Sequence, residues 1–171
     1  MAGLVPAIHV FPLQHAQISE SYKSSQFGFI LEDCRLMAIA EHPRPGVVVM
    51  CDYNSGFRAP EMVKRRPVVI ISPRIRARPG LCTIVALSTT APTPIMPYHC
   101  QIDLRPRLPE PFQSDGIWVK GDMINTVGFH RLDLVRLGRD GTGKRKYLLD
   151  PLSDDTLRRI RSCVWKAMGL G

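Results

Sequence analysis

From Val47 to Val127 the chain is divided into short β-branched runs, and prolines and glycines fall in the gaps between them. A long helix cannot survive that punctuation, because each proline removes a backbone donor and fixes φ. VVVMCDY (Val47–Tyr53) reads as a strand and is followed by a polar loop, Asn54 to Arg65. RRPVVIISPR (Arg65–Arg74) holds a second strand between Pro67 and Pro73, too apolar to be half-exposed. After the Pro79-Gly80 turn signal, CTIVALSTT (Cys82–Thr90) is a third, ending in hydroxyls. HCQIDL (His99–Leu104) alternates like a fourth, and IWVKGDMINTV (Ile117–Val127) is a fifth. With Gly 13 and Pro 15 in 171 residues, many short elements joined by turns are expected throughout.

The end of the chain differs. Ser153 can N-cap a helix whose first turn carries Asp154 and Asp155, where carboxylates complement the dipole. Leu157, Ile160, Val164 and Met168 recur at helical spacing and form its apolar stripe. Closely spaced strands and one terminal helix give a mainly β fold with a C-terminal helix (β+α), a small curled sheet or barrel capped by that helix. Gly138–Lys146 is expected to be a flexible tip. A sheet of this size has edges to cover, which favours dimerisation.

Residues 1–36 stand apart. Met1–Leu13 is apolar but lacks a positive leading region and is broken by Pro6, His9 and Pro12, so it is a poor signal peptide. This stretch is expected to be a non-domain extension, with Met37 as an alternative start and residues 37–171 as the domain. It holds two bases against three acids, so the net charge of +8 belongs to the folded part. A field of that sign attracts polyanions, nucleic acid among them. The five cysteines are scattered, with no C-x-x-C pair, which argues against a zinc site or disulfide framework and fits a reducing cytoplasm. His99-Cys100 reads as structural. No apolar run approaches the roughly 18 residues of a membrane span.

P-loop, dinucleotide, G-x-S-x-G and H-E-x-x-H motifs are all absent from the sequence. Polar groups instead gather at strand ends. Arg66 immediately precedes the apolar run Val68–Ile71; Ser88, Thr89 and Thr90 end the next strand; Lys120 and Asp122 are two apart and on a regular strand would share a face. Glu61 lies in the loop before Arg66, beside the basic Lys64 and Arg65. Together a guanidinium, a hydroxyl, an ammonium and a carboxylate can hold a phosphodiester and move protons around it. Singly, each has an ordinary structural reading: Arg66 a surface charge, Thr89 a hydroxyl bonding the backbone, Asp122 a turn former.

In order and spacing, the Gly46-led VVVMCDY, Glu61 five residues before Arg66-Pro67-Val-Val-Ile-Ile-Ser-Pro, then IVALSTT, HCQIDL, WVKGDMINTV and the closing helix resemble the MazF/PemK family of toxins from about Pro45 to Leu170. The resemblance implies an SH3-like barrel of roughly five to seven strands. It further implies a homodimer that cuts single-stranded RNA without metal or other cofactor, held inactive by an antitoxin whose acidic, flexible segment covers the RNA site. Arg66 matches the family's catalytic Arg, and Thr89 its catalytic Thr, with Ser88 and Thr90 as register alternatives. Lys120 and Asp122 stand where one branch has a basic residue and a general base, and Glu61 matches an acidic loop residue. Ser88, Thr90, Arg65 and Lys64 are expected to contact RNA. The implied reaction is attack of a ribose 2′-OH on the adjacent phosphorus.

The sequence also departs from the family. Gly46 is followed by Val47 where an Asp is frequent, Pro60 precedes Glu61 where one branch has a His, and Lys120 replaces an Arg and its bidentate fork. The basic tip Lys144-Arg145-Lys146 reads as an insertion. The alternative is a non-enzymatic relative, such as a CcdB-like gyrase-directed toxin or an inactive nucleic-acid-binding protein.

Overall fold

The computed structural model describes Ile39 and residues 41–171, and the boundary expected between residues 36 and 37 lies outside them. Strands β1 (Val48–Asp52), β2 (Arg65–Ile70), β3 (Leu81–Ser88), β4 (His99–Ile102) and β5 (Ile117–Gly128) lead through a 3₁₀ turn at Phe129–Arg131 into β6 (Leu132–Leu134). A hairpin of β7 (Arg136–Arg139) and β8 (Arg145–Tyr147) follows, and α1 (Asp154–Ala167) closes the chain. Strands β1 to β6 form one antiparallel sheet in the order β4-β5-β3-β2-β1-β6. The fold is mainly β with a C-terminal helix, as the spacing of apolar runs predicts.

Side chains alternate across a strand, so register sorts the sheet into two faces. One face carries Met50, Val69, Val85, Leu87 and Val119 and is covered by Leu157, Ile160 and Val164 of α1. The other carries Val49, Cys51, Val68, Ile70, Cys82 and Ile84. Both faces of the central strands are therefore buried, which is why β2 and β3 read as continuous apolar runs rather than alternating ones.

Ser153 caps α1, its Oγ accepting from the Thr156 N–H at 3.2 Å. The buried stripe of the helix is Leu157, Ile160, Cys163 and Val164. Met168, expected in that stripe, is the C-cap residue and is 54% exposed, because the helix has ended before its side chain could face the sheet. Arg161 ties the helix to the end of β2, donating from Nη2 to the Ile71 carbonyl at 2.8 Å. The tip at Gly138–Lys146 forms the turn that joins β7 to β8. Within it Asp140 Oδ1 accepts from the Thr142 and Lys144 N–H groups at 2.9 and 3.0 Å.

The β3–β5 ladder carries an irregularity between Val85 and Ala86. Val85 pairs with Ile124, but its neighbour Ala86 pairs with Lys120, so Gly121, Asp122 and Met123 bulge out of the β3–β5 ladder. The bulge sits under α1. Its Gly121 N–H donates to the Tyr98 carbonyl at 3.1 Å, and a Cβ there would lie 2.5 Å from that oxygen and 2.8 Å from the Cys163 carbonyl carbon. Only a glycine lets the helix backbone come this close.

Candidate functional site

Val68 stands opposite Ala86, so counting two residues along each strand brings Arg66 across from Ser88. Ser88 is in turn opposite Trp118, and Trp118 opposite Gln101. One row further into the sheet, Ala86 faces Lys120 and Lys120 faces His99. Directly opposite residues of an antiparallel pair share a face. Arg66, Ser88, Trp118, Lys120 and His99 therefore share the face away from α1, at the end where its apolar core gives way to polar groups.

Arg66 is half-buried. Its Nε donates to the Val63 carbonyl at 3.3 Å, and the outer guanidinium nitrogens make no hydrogen bond among the described residues. Anchored at one nitrogen, it keeps a free fork of the shape that pairs with phosphates and carboxylates. At the end of β3 the Ser88 hydroxyl accepts from the Thr90 N–H and donates to the Thr90 carbonyl, both at 3.1 Å. That reciprocal pair consumes the Ser88 hydroxyl and stiffens the strand end. Thr89 and Thr90 are exposed, and neither side-chain hydroxyl has a hydrogen-bond partner among the described residues.

Regular alternation is not what places Asp122 near Lys120, because the bulge interrupts it. The link is His99: its Nε2 lies 3.2 Å from Asp122 Oδ1. The imidazole is only 6% exposed and the carboxylate 38%, so the acid faces outward with the ring behind it.

Other expected residues lie elsewhere. Glu61 is exposed, and its Oε2 accepts from the Arg58 N–H at 2.8 Å, which closes a turn within its own loop. Lys64 adopts a left-handed φ of 71°, and its carbonyl accepts from the Tyr53 N–H at 3.2 Å, shutting the base of that loop. Arg65 points to the opposite face of β2 from Arg66 and pairs with Asp133 at 2.9 Å. The basic tip Lys144–Lys146 belongs to the separate hairpin sheet. Among the described residues, no hydrogen bond or ion pair joins the side chains of Glu61, Lys64 or Arg65 to the Arg66 row.

Two residues of this face carry no functional reading in the sequence, where His99 reads as structural and Trp118 only as part of a strand. His99 gives no local signal, since its partner Asp122 is 23 positions away. Trp118, partly exposed beside Ser88, offers the aromatic surface on which nucleobases stack, and an aromatic-plus-basic strand face was the available clue. Among the described residues, no three His, Cys, Asp or Glu side chains converge as metal ligands would, and no helix is long and apolar enough to cross a membrane. Cys51, Cys82, Cys100 and Cys163 are free thiols.

The chain is similar to an uncharacterised protein of Haemophilus influenzae, 27% identical over 149 residues that span 77% of this chain and 94% of that one. Among solved structures it is similar to MazF from Deinococcus radiodurans, at 18% identity and a TM-score of 0.50, covering 74% of this chain and 96% of that one. It is also similar to a mycobacterial endoribonuclease solved with its cognate antitoxin, at 23% identity and a TM-score of 0.48, covering 76% and 98%. The family model of PemK-like, MazF-like toxins matches residues 44–166, which takes in every strand and nearly all of the helix. The chain belongs to the PemK-like, MazF-like family of type II toxin–antitoxin toxins.

Proposed function

We propose that this toxin is a metal-independent endoribonuclease acting on single-stranded RNA. The supporting observation is the row structure of one sheet face: Arg66, with a free guanidinium fork, stands across from Ser88, and the next row holds Lys120 and His99, whose imidazole contacts the outward carboxylate of Asp122, while the exposed hydroxyls of Thr89 and Thr90 follow Ser88 just past the end of β3. In this reading Asp122 takes the proton of a ribose 2′-OH as that oxygen bonds to the adjacent phosphorus. The bond to the 5′-oxygen breaks, and that oxygen leaves with a proton from Lys120 or solvent. The products are a 2′,3′-cyclic phosphate and a 5′-OH end. Arg66 and Thr89 hold the nonbridging oxygens while negative charge builds, and donors already in place need little reorganisation. DNA is spared because it lacks the nucleophile.

The same face serves regulation. An antitoxin segment rich in acidic residues would meet Arg66 and Lys120 in place of phosphates, assisted by the net charge of +8. The functional unit is proposed to be a homodimer in the cytoplasm.

The test is cleavage of a panel of single-stranded RNAs by the full chain in EDTA, alongside Arg66→Ala, with chemical analysis of the ends. Cutting that survives chelation, leaves cyclic phosphates and disappears in the Arg66 variant supports the reading. A folded protein that leaves every RNA intact overturns it in favour of a non-enzymatic toxin.

A further inference from the structure

We propose that His99 is a positioning residue, a neutral imidazole that aims the carboxylate of Asp122 and ties it to the loop at residues 91–98. The inference rests on the ribonuclease reading above and adds a residue to it. Both ring nitrogens are engaged. Nδ1 lies 3.1 Å from the Met96 backbone nitrogen, and Nε2 lies 3.2 Å from Asp122 Oδ1. A backbone N–H can only donate, so Nδ1 is the acceptor and carries no proton. The one proton of a neutral ring then resides on Nε2, where it is donated to Asp122. This assignment follows from the partners themselves and fixes the tautomer.

The consequences are specific. His99 cannot accept a substrate proton at Nδ1 without giving up the Met96 bond, and its Nε2 already carries one. The ring therefore orients a base and does not act as one. Its burial behind the half-exposed carboxylate agrees with that role. One oxygen of Asp122 is fixed by Nε2–H, and the other remains available to a 2′-OH.

The other end of the ring organises the loop. His99 N–H donates to the Met96 carbonyl at 2.9 Å while Nδ1 receives the Met96 N–H, so the Met96–His99 turn is closed twice by one residue. Met96, which opens that turn, is 37% exposed, and the preceding Ile95 is 60% exposed. Exposed apolar side chains next to a phosphodiester site are suited to packing on the bases that flank the scissile bond. His99 thus couples where the RNA is gripped to where its proton is removed.

Two isosteric replacements separate the roles. Asn retains an acceptor at the position of Nδ1 but cannot reach Asp122; Gln places an amide N–H near the position of Nε2 but leaves Met96 without an acceptor. In His99→Asn, kcat should fall about tenfold or more with KM within about threefold of wild type, the signature of a lost transition-state interaction. In His99→Gln, KM should rise about tenfold, with the smaller change in kcat. In an Asp122→Asn background, His99→Asn should cost nothing further, since residues acting as a unit are not additive. Ring ¹⁵N NMR of the wild-type protein gives an activity-free readout, expected to show protonated Nε2 and bare Nδ1. An active wild type with the opposite tautomer, or with a His99→Asn variant cutting at full rate, overturns the role of His99 alone. Equal losses in both parameters for both variants would overturn it too. A wild type that cuts no RNA overturns the ribonuclease reading and, with it, the catalytic service assigned to His99.

Discussion

Arg131 donates from Nη1 to the Ser55 carbonyl at 2.7 Å, holding a loop that lies 76 positions earlier in the chain. The same nitrogen reaches Ser55 Oγ at 3.2 Å, and the guanidinium sits 5.3 Å from the centre of the Phe57 ring. The loop so clamped leads to Val63, whose carbonyl anchors Arg66. Arg131→Ala should cost about 1–3 kcal/mol from the lost charged hydrogen bonds and cation–π contact, read from urea unfolding. RNA cleavage should fall as well, because the anchor of Arg66 loosens.

Arg66 itself contributes little to folding, with one long hydrogen bond and a partly exposed side chain. Arg66→Ala should change stability by less than about 1 kcal/mol while lowering kcat about 10²–10³-fold, the usual penalty for removing a preorganised oxyanion donor. Arg66→Lys should rescue little, since an ammonium has no bidentate fork. Paired melting and single-turnover measurements test both halves.

Gly121 is the hinge between helix packing and site geometry. Gly121→Ala would press a Cβ to within 2.5 Å of the Tyr98 carbonyl oxygen and 2.9 Å of the Cys163 carbonyl oxygen, both backbone atoms that cannot turn aside. A loss of about 1–3 kcal/mol or more is expected, together with a displaced Asp122. Gly141→Ala meets nothing within 4 Å and serves as the control, expected within about 0.5 kcal/mol of wild type.

Alkaline pH should destabilise the fold. Burial pushes the Cys51 thiol from 9.0 up to about 12, and burial alone takes Cys82 up to about 11. Tyr53 moves in the same direction, chiefly through burial. Thiols with raised folded values lose protons more readily when unfolded. Their contribution is therefore complete below 9.0 and is lost as pH climbs through the folded values toward about 12. Urea midpoints should be flat from neutrality to about pH 8.5 and fall beyond it. Cys82→Ala should flatten part of that decline, and thiol reagents should label Cys51 and Cys82 only slowly in the native state.

Much of this architecture is legible locally. Strand runs at Val48–Asp52, Val68–Ile70 and Ile84–Leu87, the Ser153 cap and the Arg66-Pro67 edge declare themselves because burial on two faces demands continuous β-branched sequence and a helix start demands an acceptor. Short elements escaped: β6 and the β7–β8 hairpin are three or four residues each, and their existence depends on neighbours rather than on their own composition. The orientation of α1 over β4 and β5 was legible only as a stripe, and Cys163 takes the place expected of Met168.

What the sequence by itself determined was strands β1 to β5, the terminal helix and the presence of an Arg, a Thr and a carboxylate near strand ends, since these follow from short-range periodicity and residue chemistry. Which of them meet was decided by tertiary structure. Adjacent residues on one strand face opposite ways, so Arg66 joins the Ser88 row while Arg65 turns to Asp133. A three-residue bulge breaks the alternation that would have set Asp122 beside Lys120, and a histidine from the neighbouring strand fixes that carboxylate instead. Register, bulge and cross-strand contact depend on residues tens of positions apart, and no local pattern encodes them.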